Sequence, residues 1–193
     1  MSNEVFYQLS ADKLVALTAY GEAASEGAQG LMAVINVIAN RTRDPNQFAD
    51  QNILASTGSV YHAVILKEGQ FSVYNASDPQ RPKMIQIAQN FDSYANTNKV
   101  LNQAYQLSQM LFLGTLEDNT GGATHYHATY VSPSWAATIP FVGQIGNHLF
   151  YSVYPIWKRA REITTTLAAS PWTYIIGFSL IGILIYLYKR RKQ

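Results

Sequence analysis

Residues 28–43 leave a helix almost no polar side. Leu31, Met32, Val34, Ile35, Val37 and Ile38 recur on every face of the turn, and a helix apolar all round has to be enclosed by the rest of the chain. Asn36 and Asn40, one turn apart on it, then need hydrogen-bond partners inside the protein. With 193 residues, 48% of them apolar, the chain can bury one substantial core and has little room for two. The expectation is one domain, 1–153, with an appendage.

Around that helix the pattern is mainly helical. Ser10 suits the cap of a first helix, with Asp12 in its first turn, that runs to about Tyr20 and stops at Gly21. Asp44-Pro45-Asn46 breaks the central helix, and a polar loop is expected to about Thr57. Ser59 reads as the cap of a short helix through Leu66, and Gln70-Phe71-Ser72 as an extended or loop segment. Helices are expected over 79–91 and 99–113, the second carrying Val100, Leu101, Ala104, Leu107 and Leu111 as a stripe. Thr120-Gly121-Gly122 then punctuates the chain. Residues 123–131, rich in Thr and Tyr, suit a strand, and a second strand is expected at about 148–153. The class is therefore α+β, with a small β element.

The charges divide unevenly. Residues 1–157 carry 7 Lys/Arg against 11 Asp/Glu, net −4, and residues 158–193 carry 7 against 1, net +6. An acidic domain does not suit nucleic acid, which calls for a basic face. The tail contains 171–188, a run without a charged residue, followed by Lys189-Arg190-Arg191-Lys192. As a helix, at about 1.5 Å per residue, it would reach roughly 27 Å, close to a bilayer's hydrocarbon thickness. Trp172 and Tyr174 at one end and Tyr186 and Tyr188 at the other suit the interfaces. The expected layout is thus a linker at 154–170, one transmembrane helix at 171–188 in contact with a lipid bilayer, and a basic tail at 189–193. The basic cluster favours the cytoplasmic side, against which Lys158, Arg159 and Arg161 weigh. Residues 1–11 are polar and show no secretory signal, so delivery is expected to depend on the tail or on another route. The chain has no cysteine, which removes disulfides and thiolate metal sites.

For chemistry, Glu22 stands where the first helix meets the apolar one. Walled by Leu17, Tyr20 and that helix, its carboxyl would lose solvation and hold its proton toward neutral pH, as cleavage of a glycosidic bond requires of an acid. A surface position at a helix end is the alternative. Glu26, four residues on, would share a face with Glu22 if the helix continued, or would charge the start of the second helix. His125 and His127 would share one face of a strand with Tyr126 opposite. With His148 or His62 they could make a zinc site, the alternative being neutral histidines within an aromatic cluster. Tyr126, Trp135 and Phe150 could line a sugar site or fill the core, with Gln70 and Ser72 to bind hydroxyls.

Four motifs, in one order, give the chain a likeness to a known family. They are Ala19-Tyr20-Gly21-Glu22-Ala23 with Glu26-Gly27 and Gln29-Gly30; the segment 34–41 ending Ala39-Asn40-Arg41; Glu68-Gly69-Gln70-Phe71-Ser72; and Gly122-Ala123-Thr124-His125-Tyr126-His127 through Pro133-Ser134-Trp135 to Ile145-Gly146-Asn147-His148-Leu149-Phe150-Tyr151. Over roughly 11–153 the chain resembles the SleB-type cell-wall hydrolases, which include spore-cortex lytic enzymes. The resemblance implies a lysozyme-like helical fold acting on peptidoglycan glycan strands, between N-acetylmuramic acid and N-acetylglucosamine, without a cofactor or metal. It places the catalytic acid at Glu22 and substrate contacts at Gln70, Phe71, Ser72, Tyr126 and Trp135, with Glu26 beside them. It implies a lytic transglycosylase or a muramidase-type hydrolase, with a non-catalytic peptidoglycan binder and a zinc amidase as other classes. The tail departs from the family's usual layout. It suggests an enzyme tied to a host cell envelope or virion membrane, in a phage or in bacterial wall remodelling.

Overall fold

The structure, a computed structural model, describes residues 4–154. The expected linker, transmembrane helix and basic tail lie outside them, apart from Tyr154. No helix among the described residues is long and apolar enough to cross a membrane.

The helices are α1 (Glu4–Tyr7), α2 (Ala11–Ala23), α3 (Gly27–Thr42), α4 (Pro45–Phe48), α5 (Gln51–Thr57), α6 (Val60–Ile65), α7 (Arg81–Gln89), α8 (Phe91–Thr97) and α9 (Lys99–Phe112). Strands β1 (His125–Ala128), β2 (Phe141–Ile145) and β3 (His148–Tyr151) form one antiparallel sheet in the order β1-β3-β2. Short 3-10 turns stand at Ser72–Tyr74 and Ser134–Ala137. The mainly helical α+β class expected from sequence is the one observed.

α3 is enclosed as its composition demands, with Leu31, Ala33, Val34, Ile35, Val37 and Ile38 fully buried. It shares the core with α2 and α9, which pack against it and against each other. α2 is more deeply set than its one apolar side suggested: Leu14 through Ala19 are all inaccessible. Thr18 is tolerated there because its hydroxyl donates to the Leu14 carbonyl (2.7 Å) and pairs with the Tyr74 hydroxyl (2.8 Å). α2 also passes through Gly21 rather than ending at it. A side chain at Gly21 would meet Met84 Cε at 2.8 Å, so this glycine serves close packing of α2 on α7 and carries Glu22 into the last helical turn.

Three further boundaries differ from expectation. The polar stretch after Pro45 is two short helices, because Asp44 caps α4 through the Gln47 N–H and Asp50 caps α5 through those of Asn52 and Ile53. The helix expected over 79–91 stops at Gln89, and a separate α8 fills the interval to α9. β2 was not foreseen; its edge is irregular, with a register shift between Phe141 and Gly143. Gly146, at φ +55, and Asn147 make the tight turn from β2 into β3.

The sheet is fastened to α3 by amides. Asn36 Nδ2 donates to the Glu117 carbonyl (2.9 Å), and Asn40 Nδ2 to the Ala123 carbonyl (3.0 Å) and Asp118 Oδ2 (3.1 Å). These are the interior partners that the two asparagines required. Asp118 in turn receives the Thr120 and Gly122 N–H groups, which shapes the loop leading into β1. Ala33 and Val37 of α3 then meet Ala123 and Phe150 in a second small core. Asn40→Ala should leave the buried Ala123 carbonyl without its donor and lower stability by about 2 kcal/mol, read as a shift of the urea midpoint at unchanged slope.

Candidate functional site

Glu22, in the last turn of α2, is half-buried. The Tyr126 hydroxyl, from β1, donates to its Oε2 at 2.9 Å. Its Oε1 is buried and closes no hydrogen bond. Burial pushes the carboxyl above its ordinary range, against the downward pull of the Tyr126 hydroxyl, the Val73 N–H and the Arg41 charge, while Asp78 adds to the upward shift. Loss of solvation thus governs this group, as expected. The groups that act on it come from β1 (Tyr126), the 3-10 turn (Val73), the segment after it (Asp78) and α3 (Arg41).

Tyr126 is itself fixed. Its ring stacks on Phe150 at 5.7 Å and meets His148 edge-on at 5.3 Å. Its phenol is pushed well up by burial first and by the Glu22 charge second, so it stays protonated and can only donate to a carboxylate.

Arg41, whose charge acts on the carboxyl, stands near the C-terminal end of α3. Its Nε donates to the Thr124 carbonyl at 2.7 Å, and its guanidinium lies over the rings of Phe71 (5.1 Å) and Phe48 (5.8 Å). Nη1 is buried and makes no hydrogen bond. Burial brings its pKa down to about 10, which leaves it a cation at neutral pH.

Glu26 does not join Glu22. α2 ends at Ala23 and α3 begins at Gly27, so the two carboxylates are separated by a turn and share no helix face. Glu26 Oε2 accepts from the Asn147 N–H (2.9 Å) and Oε1 from Asn147 Nδ2 (3.2 Å), and these bonds hold its carboxyl below the usual range. It latches the start of α3 to the β2–β3 turn rather than capping its own helix, where it closes no side-chain bond. The latch leaves no room for a larger residue at Gly146, where a Cβ would strike Glu26 Oε2.

The other expected contacts separate. Gln70 is half-buried and Ser72 exposed, so both can meet a ligand. Phe71 cannot: it is 2% exposed, with Arg41 on its face, and the expectation that it touches substrate is corrected to a core residue that seats the guanidinium. Its neighbours' alternating exposure is the reason, since a chain that presents Gln70 and Ser72 turns Phe71 inward. Trp135 packs on His125 (5.2 Å), His127 (5.5 Å) and Tyr151 (5.4 Å), on the face of β1 opposite Tyr126. Trp135 and Tyr126 therefore do not share the surface before Glu22.

The histidines are engaged singly. His125 pairs with Thr124 Oγ1 (3.0 Å), and burial takes it down to about 4. His127 pairs with the Tyr151 hydroxyl (3.0 Å), and His62 with Ser59 Oγ (2.8 Å) and the Leu9 carbonyl (3.0 Å). Among the described residues no group of three His, Cys, Asp or Glu side chains is placed to hold a metal ion. Sequence reasoning missed the action of Arg41 and Asp78 on Glu22; a cationic residue on a mainly apolar helix was the available cue for the first.

A family model described as cell wall hydrolase matches residues 25–151, a span that begins three residues after Glu22. Among solved structures, the catalytic domain of the germination-specific lytic transglycosylase SleB from Bacillus anthracis superimposes with a TM-score of 0.52 at 23% identity, covering 75% of this chain and 98% of that one. The catalytic domain of the Bacillus cereus SleB protein gives 0.43 at 23% identity, covering 74% and 89%. No curated protein matches the chain. At these identities the likeness to the first is one of fold.

Because the pKa of Glu22 is raised on folding, the stability associated with it is complete below the unfolded value and is lost as pH rises through the folded one. Glu22→Gln should therefore melt above the wild type at pH 8, with the advantage fading as pH falls to about 4. Gly146→Ala should lower the melting temperature more in the wild type than in a Glu26→Ala background, where the clash is gone.

Proposed function

The chain belongs to the cell wall hydrolase family, an enzyme of peptidoglycan degradation, and from that premise we propose that it is a lytic transglycosylase with Glu22 as its acid. The bond would be the one between N-acetylmuramic acid and N-acetylglucosamine. The observation that carries this reading is the half-buried Glu22 carboxyl, lifted by desolvation and steadied at Oε2 by Tyr126.

The protonated carboxyl gives its proton to the bridging oxygen, and the bond from muramyl C1 to that oxygen breaks with its electron pair left on oxygen. Glu22 is then a carboxylate beside an electron-poor sugar carbon. The muramyl 6-hydroxyl attacks C1 and its proton returns to Glu22, which leaves a 1,6-anhydro end and regenerates the acid. One carboxyl serves both steps. Tyr126 keeps that carboxyl in one orientation throughout, and the exposed Ser72 and half-buried Gln70 are the candidate contacts to sugar hydroxyls. The latched Glu26, with both oxygens committed to Asn147, supports a route without a second carboxylate.

The second reading is a muramidase-type hydrolysis of the same bond, for which Asp78, whose charge acts weakly on Glu22, is the carboxylate to test as the base. We also propose that the uncharged 171–188 run followed by four basic residues ties the enzyme to the membrane of a host cell envelope or virion, so that cleavage stays local. The dependence of sedimentation with membranes on residues 171–193 tests that.

On purified sacculi, Glu22→Gln should reduce release of muropeptides at least about a hundredfold with the circular dichroism of the domain unchanged; near wild-type release would remove the acid assignment. Mass spectrometry of the wild-type products should show ends one water lighter than hydrolysis gives. Asp78→Asn should leave that product in place, whereas loss of activity together with ordinary reducing ends would favour the hydrolase.

A further inference from the structure

Arg41 and Glu22 each bury one charge-bearing atom that the protein leaves without a hydrogen bond, Nη1 on the first and Oε1 on the second. Other parts of each side chain are held. Thr124 holds Arg41 Nε, Phe71 and Phe48 hold the guanidinium plane, and Tyr126 holds Glu22 Oε2. An arginine 6% exposed is costly to place unless its charge is used. The carboxyl is neutral before it donates and carries a negative charge afterwards, which the Tyr126 hydroxyl, the Val73 N–H and the Arg41 charge favour.

We propose that Arg41 is a positioning residue that acts through Glu22, steadying the carboxylate between proton donation and proton return. The inference rests on the acid role of Glu22 and deepens it. Arg41 touches no substrate in this scheme; being a permanent cation, it lowers the energy of the ionised state that the first step creates. The two groups stay outside salt-bridge distance, and no ion pair joins them among the described residues. That separation suits a shuttle: a direct pair would hold Glu22 ionised and take away its proton.

The other groups around this pair do not titrate in its place. Facing Glu22 are Tyr126 from β1, Tyr74 from the 3-10 turn, Asp78 from the turn that follows, and Arg41 from α3. Both phenols are pushed up by burial, out of the working range. Facing Arg41 are Glu22, Tyr126 and His125, and His125 is neutral above about 4. Asp78 opposes Arg41 in its effect on Glu22, and both act on a carboxyl whose upward shift is set first by burial.

The test is muropeptide release from sacculi by the full chain across pH 5 to 9, for wild type, Glu22→Gln, Arg41→Met and Arg41→Lys. An acid catalyst loses activity as pH rises through its pKa. Without the cation that limb should move upward by about one pH unit and the maximal rate should fall about tenfold. Arg41→Lys, which keeps the charge, should hold the limb at the wild-type position and recover part of the rate. A merely structural role would lower the amplitude of both variants without moving the limb, and an unmoved limb in a folded Arg41→Met overturns the proposal. Should that variant fail to fold, the wild-type Arg41 guanidinium NMR signals decide. They should shift with the Glu22 midpoint and stop doing so in Glu22→Gln, and signals flat through that midpoint overturn the proposal equally. Activity surviving in Glu22→Gln would instead defeat the acid assignment, a different failure from an unmoved limb with Glu22→Gln inactive.

Discussion

The attachment of the sheet to the end of α3 is the constraint from which the site follows. Asn40 and Arg41, adjacent in the chain, reach the Ala123 and Thr124 carbonyls at 3.0 and 2.7 Å. These two bonds set where β1 starts, and β1 then delivers Tyr126 to Glu22 two residues later. Long side chains from one apolar helix thus fix a strand against a carboxyl more than a hundred residues away in sequence. Each bond is worth only about 1 kcal/mol net, but the buried carbonyls would be expensive to leave bare.

That arrangement puts rigid and reactive parts on the same elements. Glu22 sits on a deeply buried helix, and Tyr126 is held between Phe150 and His148. Neither has to be ordered when substrate arrives, which suits an acid whose proton must meet one oxygen. Ser72, by contrast, lies in a short turn at the surface, where a polymer can reach it.

Much of the fold was legible in the chain because burial leaves a periodic trace. The apolar run of α3 announced a central helix, and its two asparagines announced interior partners. The cap residue Ser59 stands where α6 begins. What the sequence hid depends on neighbours brought in from elsewhere. Gly21 looked like a helix end because its contact with Met84 lies 63 residues away along the chain. Glu26 looked like a second acid because nothing local betrays its latch on Asn147. Phe71 and Trp135 carried the right chemistry for sugars, but packing sent one into the core and the other behind the strand.

The alternation along β1 has a further consequence. Its four residues pair with β3 as His125 with Tyr151, Tyr126 with Phe150, His127 with Leu149 and Ala128 with His148. A slip of a single step would exchange the two sides of the strand, setting an imidazole before Glu22 and turning the phenol toward the tryptophan. Whether the acid meets a group that only donates, or one that can take its proton away, is therefore decided by alignment in a ladder four residues long.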